Sequence, residues 1–370
     1  MKILELCHFS AGGCGVFARV KQESQLLAQR GHEVRIFSSN REKGTNKIIS
    51  ENDVIGKVKV KRFPAFKFGG ESFMSWHFEK DAEEFKPDVI IAHGYRHPHT
   101  TKALFLAEKI KCKVFLVTHA PFAREDNRNF LNNTAVFFYD LFIGRRTINK
   151  FDKIFAITYW EYLYLNKLET KKDKIEYIPN GIAIDYFAPV KAKKIKKIIY
   201  TGRIAPIKNI EVVIKSLNKI KDKGVKFYIF GPAEESYLKK IKKLISEEKV
   251  GNRINIKLIN YNKKEHIREL DKSSIFILPS FSEGMPQSLV EAMARECIVI
   301  GSDNLGNADI IKSEDNGFLF KNDDEKDLAR IIDGVIDMNL KNILMVRKNA
   351  KEKAERFKWK EIIDKIESFF

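Results

Sequence analysis

Short continuous apolar runs alternate along the chain with stretches in which apolar residues recur every three or four positions. In the first half, runs at 3–7, 33–37, 58–63, 89–92, 114–118, 153–157 and 175–178 predict strands. The stretches 17–29, 72–85, 101–109, 134–149 and 159–168 have the spacing of amphipathic helices. Strands separated by helices call for βαβ units and a parallel sheet. The strands are apolar almost throughout, as a sheet covered on both faces requires. The pattern breaks after Gly181. Residues 183–197 hold Pro189 and the cluster Lys191, Lys193, Lys194, Lys196 and Lys197, a composition that reads as an interdomain linker. The alternation then restarts, with strands at 198–201, 227–230, 254–258, 275–278 and 298–300 and helices at 209–221, 235–247, 265–271 and 287–295. From Glu325 the pattern is helical, ending in an amphipathic helix at 359–370. The expected fold is α/β, with two doubly wound domains facing each other over 1–182 and 198–357. Ligands of such sheets bind beyond the carboxyl ends of the strands, so residues just after each strand are the candidates for chemistry.

Composition narrows the class. The 370 residues exceed one ordinary core, and 44 % apolar with 31 % charged residues describes a soluble globular chain. No run approaches the ~18 apolar residues of a membrane span. The opening MKILELCHFS lacks the apolar region and cleavage site of a signal peptide. Cys7, Cys14, Cys112 and Cys297 show no CxxC spacing, so neither zinc nor disulfides are expected and the expected compartment is a reducing cytoplasm. The net charge of +18 fits anionic lipid, nucleic acid or a phosphate-bearing substrate, but Lys is spread along the whole chain, as on a Lys-rich or thermophilic surface. No nucleic-acid-binding signature accompanies it, so nucleic acid is not an expected partner.

Two constellations carry chemistry. The first is Pro279-Ser280-Phe281-Ser282-Glu283-Gly284-Met285-Pro286-Gln287-Ser288-Leu289-Val290-Glu291. A strand ends, a loop with Gly284 and Met285 follows, and Pro286 suits the first position of a helix. The N–H groups of Gln287, Ser288 and Leu289 would then form an anion site. Glu291, one and a half turns in, can reach a ribose hydroxyl pair, and Glu283 can accept hydrogen bonds from sugar hydroxyls. The second is Tyr200-Thr201-Gly202-Arg203-Ile204-Ala205-Pro206-Ile207-Lys208-Asn209. Gly202 lets backbone pass close to a ligand. Arg203 offers a planar fork and Lys208 a point charge for a diphosphate leaving group, without a metal. Taken singly, each of these side chains reads as surface; their order at strand ends favours a site.

With these motifs the chain resembles the retaining glycosyltransferases of family 4, which have the GT-B fold. The glutamate-x7-glutamate motif falls on Glu283 and Glu291, and the Gly-Arg…Lys motif on Gly202, Arg203 and Lys208. Ile178-Pro179-Asn180-Gly181-Ile182, Gly12-Gly13 and Arg30-Gly31-His32-Glu33-Val34 extend the likeness over nearly the whole chain; Ala183 departs from it, standing where the family commonly has Asp. The resemblance implies a C-terminal domain for a nucleotide-diphosphate sugar, an N-terminal domain for the acceptor, and a helix at 358–370 crossing back to the first domain. It implies backbone contacts to the donor at Gly12, Gly13 and Gly15, and an active-site histidine at His119. His93 and His8 also follow strands and stay ambiguous; metal binding by His93, His97 and His99 is not expected. His32, His77 and His266 read as structural or surface. Transfer would retain configuration, with the leaving phosphate taking the acceptor proton and neither cofactor nor metal required. Asp323-Asp324 reads as a helix cap.

Rival classes share parts of this pattern. Gly13-Cys14-Gly15-Val16-Phe17-Ala18 fits the dinucleotide fingerprint, but the second strand ends without an acid for an adenosine ribose, which disfavours an oxidoreductase. A nucleotide-sugar epimerase of the same fold and a non-enzymatic sugar-binding module would also share the cleft. For the acceptor, a glycan or polyprenyl-linked glycan is expected. The segment 122–150 mixes Phe130, Leu131, Phe137, Phe138, Tyr139, Leu141 and Phe142 with Arg124, Arg128, Arg145, Arg146 and Lys150. Two readings stand equal for it: a face lying on anionic membrane, placing the protein peripherally on the inner face, and a core helix with a basic end.

Overall fold

The computed structural model describes residues 1–45, 47–67, 74–122, 130–190, 195–259 and 262–370. Contacts divide the chain into two units, Met1–Gly181 with Trp359–Phe370, and Ile182–Lys358. The first unit contains strands β1 (Lys2–Phe9), β2 (Glu33–Ser39), β3 (Asn52–Ile55), β4 (Val58–Phe63), β5 (Ala65–Lys67), β6 (Met74–Trp76), β7 (Val89–His93), β8 (Lys113–Val117), β9 (Lys153–Ala156) and β10 (Ile175–Tyr177). Its helices are α1 (Gly15–Gln29), α2 (Glu79–Phe85), α3 (Pro98–Ile110), α4 (Phe130–Tyr139), α5 (Arg145–Thr147) and α6 (Glu161–Lys167). Eight strands form one sheet in the order β10-β9-β8-β7-β1-β2-β4-β3, parallel except for the β3–β4 pair. β1 and β7 are buried along nearly their whole length, which explains why they read as continuous apolar runs. Winding reverses between them: β2 and β4 lie to one side, β8 to β10 to the other.

The differences from the periodicity have local causes. β3 is polar and mostly exposed, an edge strand with no apolar signature. Part of the helix expected at 72–85 is strand β6, paired antiparallel with β5; Ser72 lies outside the described residues. Trp76 is fully buried and stacks on Phe63 with ring centroids 5.7 Å apart, and this tertiary packing overrides the local pattern. The helix expected at 134–149 is broken by a wide π turn at Asp140–Gly144. There Asp140 accepts from Arg96 Nε (2.9 Å) and the Tyr95 hydroxyl (3.0 Å), and a Cβ on Gly144 would overlap that hydroxyl.

The second unit carries six parallel strands, β11 (Ile195–Thr201), β12 (Lys226–Phe230), β13 (Ile254–Lys257), β14 (Ser273–Leu278), β15 (Ile298–Ser302) and β16 (Phe318–Phe320). Their order is β13-β12-β11-β14-β15-β16, so winding reverses between β11 and β14. Helices α7 (Ile210–Leu217), α8 (Glu235–Glu247), α9 (Lys263–Asp271), α10 (Gln287–Ala294), α11 (Leu305–Ile310), α12 (Glu325–Ile336) and α13 (Leu340–Glu355) cover it. Asp324 caps α12, accepting from the Lys326 and Asp327 amides. Periodicity passes over β16 and α11, each too short to show a period.

Residues 183–190 are not a free linker. Ile184–Phe187 forms a 3₁₀ turn inside the second unit, Tyr186 is buried, and buried Arg295 donates to the Tyr186 carbonyl (3.2 Å). Lys191, Lys193 and Lys194 lie outside the described residues. Ile182 pairs with Lys358 within the second unit; the last helix, α14 (Trp359–Glu367), belongs to the first. α14 buries Ile362, Ile363 and Ile366, and His32 contacts Glu367 at 2.9 Å. Phe369 and Phe370 continue onto Phe155 and Phe115. A Cβ on Gly181 would overlap the Trp359 indole. Gly181→Ala should therefore lower unfolding free energy by about 1–3 kcal/mol through overpacking, read as a lower denaturant midpoint with faster amide exchange in α14. An unchanged midpoint would show that the indole moves aside freely.

Candidate active site

In the second unit the loops after β11 and β14, the strands on either side of the reversal, come together. Lys208 follows β11 in a short 3₁₀ turn, and its Nζ lies 2.6 Å from Glu283 Oε1 in the loop after β14. The Ser280 hydroxyl donates to the same oxygen (2.5 Å), and the Phe281 N–H donates to the Ile207 carbonyl (3.0 Å), tying loop to loop. Glu283 Oε2 has no hydrogen-bond partner among the described residues. The Glu283 loop is backed by buried polar groups: Ser302 Oγ and Asn304 Nδ2 both donate to the Ser280 carbonyl. Gly306 at α11 packs so closely that a Cβ there would sit 2.5 Å from the Glu283 carbonyl oxygen. Sequence reading missed Ser280, Ser302, Asn304 and Gly306, because their roles exist only once β14 and β15 are side by side; the single local signal is Asn304 as a helix cap.

Three expected details differ. Pro286 is the cap of α10 rather than its first residue, with ψ of 81°. The Gln287 amide donates to the Met285 carbonyl and the Leu289 amide to the Pro286 carbonyl, so both are already satisfied, and the Leu289 side chain is core. Of the three amides expected to bind an anion, only that of Ser288 lacks a backbone partner among the described residues. Arg203 is not gathered with Lys208: its exposed guanidinium pairs with Glu234 (3.0 Å), an interaction worth little in water and easily exchanged for a ligand. Gly202 has φ of +150°, and a Cβ on it would lie 2.9 Å from the Tyr200 hydroxyl, while a Cβ on Gly231 would overlap the Gly202 carbonyl oxygen.

Glu291 sits deeper, 16 % exposed, with its carboxylate 3.7 Å from His266 Nδ1. A hydrogen-bonded chain runs from it through the Tyr186 hydroxyl to His266 Nδ1 (2.7 Å), and from His266 Nε2 to Thr201 Oγ1 (2.7 Å) at the end of β11. His266, read from sequence as structural or surface, thus belongs to the site's support. Burial raises the Glu291 carboxyl from 4.5 to about 8, opposed in part by Tyr186, and lowers His266 to about 4. Asp185, near the departure at Ala183, pairs with Lys263 at the surface (2.6 Å).

In the first unit the loop after β1 carries the glycines. Gly12 has φ of +79°, and a Cβ there would lie 2.7 Å from the Lys43 carbonyl oxygen, so Lys43 rather than a ligand explains it. A Cβ on Gly13 or Gly15 would meet nothing within 4 Å, which leaves open backbone at the start of α1. After β8, His119 and Ala120 both adopt left-handed conformations, with φ of +59° and +50°. Such strain costs roughly 1–3 kcal/mol per residue. The buried Glu161 carboxylate offsets it by accepting from the amides of Ala120 (2.9 Å), Ile157 (2.8 Å) and Thr158 (3.1 Å). His119 Nε2 lies 2.9 Å from His93 Nδ1, and His93 Nε2 2.6 Å from Glu5 Oε2. His93 is thereby no isolated residue. The His97 ring lies tilted against His8, centroids 4.5 Å apart, and stacks on His99 at 5.6 Å.

Within 122–150, Phe122 and Ile148 are core, but the core-helix reading does not hold for three of the phenylalanines. Phe137, Phe138 and Phe142 are 61, 50 and 53 % exposed, and Arg146 lies over the Phe142 ring. Arg124 and Arg128, and the side chains of Phe130 and Leu131, lie outside the described residues. No helix among the described residues is long and apolar enough to cross a membrane.

Comparison with known proteins agrees with this geometry. Residues 14–186 match the model described as Glycosyltransferase Family 4, and residues 183–356 the model described as Glycosyl transferases group 1. An uncharacterised glycosyltransferase of Methanocaldococcus jannaschii is 24 % identical over 93 % of this chain and 91 % of its own length. A UDP-Gal:alpha-D-GlcNAc-diphosphoundecaprenol alpha-1,3-galactosyltransferase of Escherichia coli is 28 % identical over 53 % of this chain and 54 % of its own. The structure of HepE from Anabaena in complex with UDP superposes with a TM-score of 0.76 at 16 % identity, covering 100 % of this chain and 99 % of that one. The chain belongs to the family 4 glycosyltransferases, glycosyl transferases group 1, with the GT-B fold. It is a transferase acting on nucleotide sugars, which sets aside the epimerase, the oxidoreductase and the binding module.

The buried Glu291 makes a pH test. A carboxyl whose folded pKa lies above its unfolded one stabilises the fold while protonated, fully below about 4.5 and progressively less as pH rises through about 8. Ligand-free wild type should therefore lose stability relative to Glu291→Gln across that window in denaturant titrations. Parallel stability curves would show that Glu291 ionises as an ordinary carboxyl.

Proposed function

We propose that the chain is a retaining, metal-independent transferase that moves a hexose or N-acetylhexosamine from a nucleotide-diphosphate sugar to a glycan or lipid-linked glycan. The observation that carries this reading is the Lys208–Glu283 pair at the reversal of the second sheet. The Lys208 ammonium has three N–H donors and spends one on Glu283. A second can hold an oxygen of the leaving diphosphate while Glu283 Oε2 accepts from a hydroxyl of the transferred sugar. One ion pair would thus fix the scissile bond from both sides. Arg203, released from Glu234, supplies a second cation to the charge that grows on the leaving phosphate. Glu291 meets the ribose, and its protonated form, held by burial, offers both a donor and an acceptor. The departing phosphate oxygen takes the acceptor proton on the face it leaves, so configuration is retained and no carboxylate nucleophile is required. Nucleotide and lipid-linked acceptor have parallels: UDP in the HepE complex, and UDP-Gal with a diphosphoundecaprenol acceptor in the name of the Escherichia coli relative.

Lys208→Ala should lower kcat about 10²–10³-fold with the fold intact, in an assay of nucleoside diphosphate release across a panel of nucleotide sugars. Turnover in excess chelator should match turnover in added magnesium. Activity that vanishes in chelator and returns with the metal would defeat metal independence.

The exposed Phe137, Phe138 and Phe142 beside Arg145 and Arg146 form the face on which we place a peripheral, inner-leaflet contact with anionic membrane. Replacing Phe138 and Phe142 together by Ser should reduce co-sedimentation with vesicles rich in phosphatidylglycerol and leave the melting temperature unchanged. Equal sedimentation of both proteins would remove this face from consideration.

A further inference from the structure

The first sheet sets three titratable side chains in a row across the reversal in its winding, two of them wholly buried. Glu5 is in the middle of β1, His93 ends β7, and His119 follows β8; the three strands are neighbours. In register, Glu5 pairs with Ile91 and His93 with Val117, so Glu5 and His93 fall on one face a two-residue step apart, and His119, just past the end of β8, reaches His93 from the carboxyl side. Glu5 and His93 are wholly buried, and both ring nitrogens of His93 are engaged, Nε2 by Glu5 and Nδ1 by His119. His119 is only partly buried, and its Nδ1 has no hydrogen-bond partner among the described residues.

A neutral imidazole between two partners holds one proton and can place it on either side. The row therefore has two complete arrangements. In one, the Glu5 O–H donates to His93 Nε2, His93 Nδ1–H donates to His119 Nε2, and His119 presents Nδ1–H outward. In the other, the Glu5 carboxylate accepts from His93 Nε2–H, His93 Nδ1 accepts from His119 Nε2–H, and His119 presents a bare Nδ1 lone pair. The arrangements differ by one proton, lost or gained at His119 Nδ1. When a base removes it, the His93 Nδ1 proton passes to His119 Nε2 and the Glu5 proton to His93 Nε2. Each imidazole stays neutral and the charge appears on Glu5.

We propose that Glu5 and His93 are positioning residues that form a proton relay, through which the buried Glu5 sets whether His119 faces the reacting groups as a hydrogen-bond donor or as a base. The consequence for transfer rests on the placement of His119 at those groups; the relay itself does not. The surroundings fit two neutral imidazoles. Burial depresses His93 to about 3 and carries His119 well below its ordinary range, while it raises Glu5 to about 8. The groups facing the row are Arg19 and Glu23 from α1, Cys7 from β1, and His97 and His99 at the start of α3. Arg19 steadies the ionised form of Glu5 and is itself fixed, bonded to Glu23 (2.9 Å), the Ile178 carbonyl and Asn180 Oδ1 (both 3.1 Å). Glu5, Glu23 and His93 are also close enough for a metal ion, but the Arg19 guanidinium, bonded to Glu23, already supplies the positive charge there.

The test is imidazole ¹⁵N spectroscopy of the full chain, with turnover measured on the same proteins. In wild type, His119 should change from the Nδ1–H to the Nε2–H tautomer with a midpoint at about 8, without passing through imidazolium. Glu5→Gln leaves the row no proton to give up, whichever way its amide faces, so His119 should keep one tautomer across the range and kcat should fall about a hundredfold with its midpoint near 8 gone. His93→Gln removes the relay at its centre, so the tautomer change of His119 near 8 should be lost there as well; this variant decides the matter should Glu5→Gln fold poorly. A tautomer change absent from wild type, or unaltered in Glu5→Gln, overturns the relay. A change lost in Glu5→Gln with kcat untouched upholds the relay and removes His119 from the chemistry.

Discussion

Parallel strands must be joined by crossovers, and right-handed crossovers that start from a central strand can run to either side of it. Each of the two sheets does both. To the left and right of the reversal the connecting helices depart to opposite faces, so the loops after the two central strands splay apart and are not closed over by their own helices. In the first unit those strands are β1 and β7, and in the second β11 and β14. Gly13 and Gly15 with their open backbone, the Glu5–His93 contact, and the Lys208–Glu283 pair all lie at these two places.

The two places solve the same electrostatic problem in opposite ways. The Lys208–Glu283 pair keeps part of both side chains in water, so its geometry can adjust to a phosphate or hydroxyl at modest cost. The Glu5–His93 row is sealed, and moving a heavy atom there would leave a buried polar group unsatisfied. Only protons are free to change position. Charged ligands are therefore matched to the second unit's site, while the first unit's row favours interactions made without net charge. Glu161 shows the cost of holding such a row in place: a buried carboxylate that accepts three amides to keep two non-glycine residues left-handed.

Much of this was legible in the sequence because the central strands are buried on both faces and cannot be anything but apolar. The Glu283…Glu291 and Gly202-Arg203…Lys208 segments could be found because each sits within a few residues of a strand end. What escaped reading acts over long separations. Nothing local says that His266 reaches Thr201, 65 residues away, or that Glu5 reaches His93, 88 away. Glu5 even argues against its own strand, as a charge in an apolar run, until its partners are known. The elements missed, β3, β5, β6, β16 and α11, are short or polar and are fixed by neighbours such as Trp76 rather than by their own period.

The adjacency of Ile182 and Lys358 makes the second unit an insertion within the first. Protein synthesis meets this arrangement in a fixed order. The ribosome completes the eight-stranded sheet and then the whole of 182–358 before α14 exists. Until then the surfaces of Phe115 and Phe155 that receive Phe370 and Phe369, and the pocket over Gly181 that receives Trp359, stand bare to solvent. The nascent first unit thus carries a sticky patch for the time needed to translate the second, which makes that interval the chain's point of greatest exposure to aggregation and to chaperones.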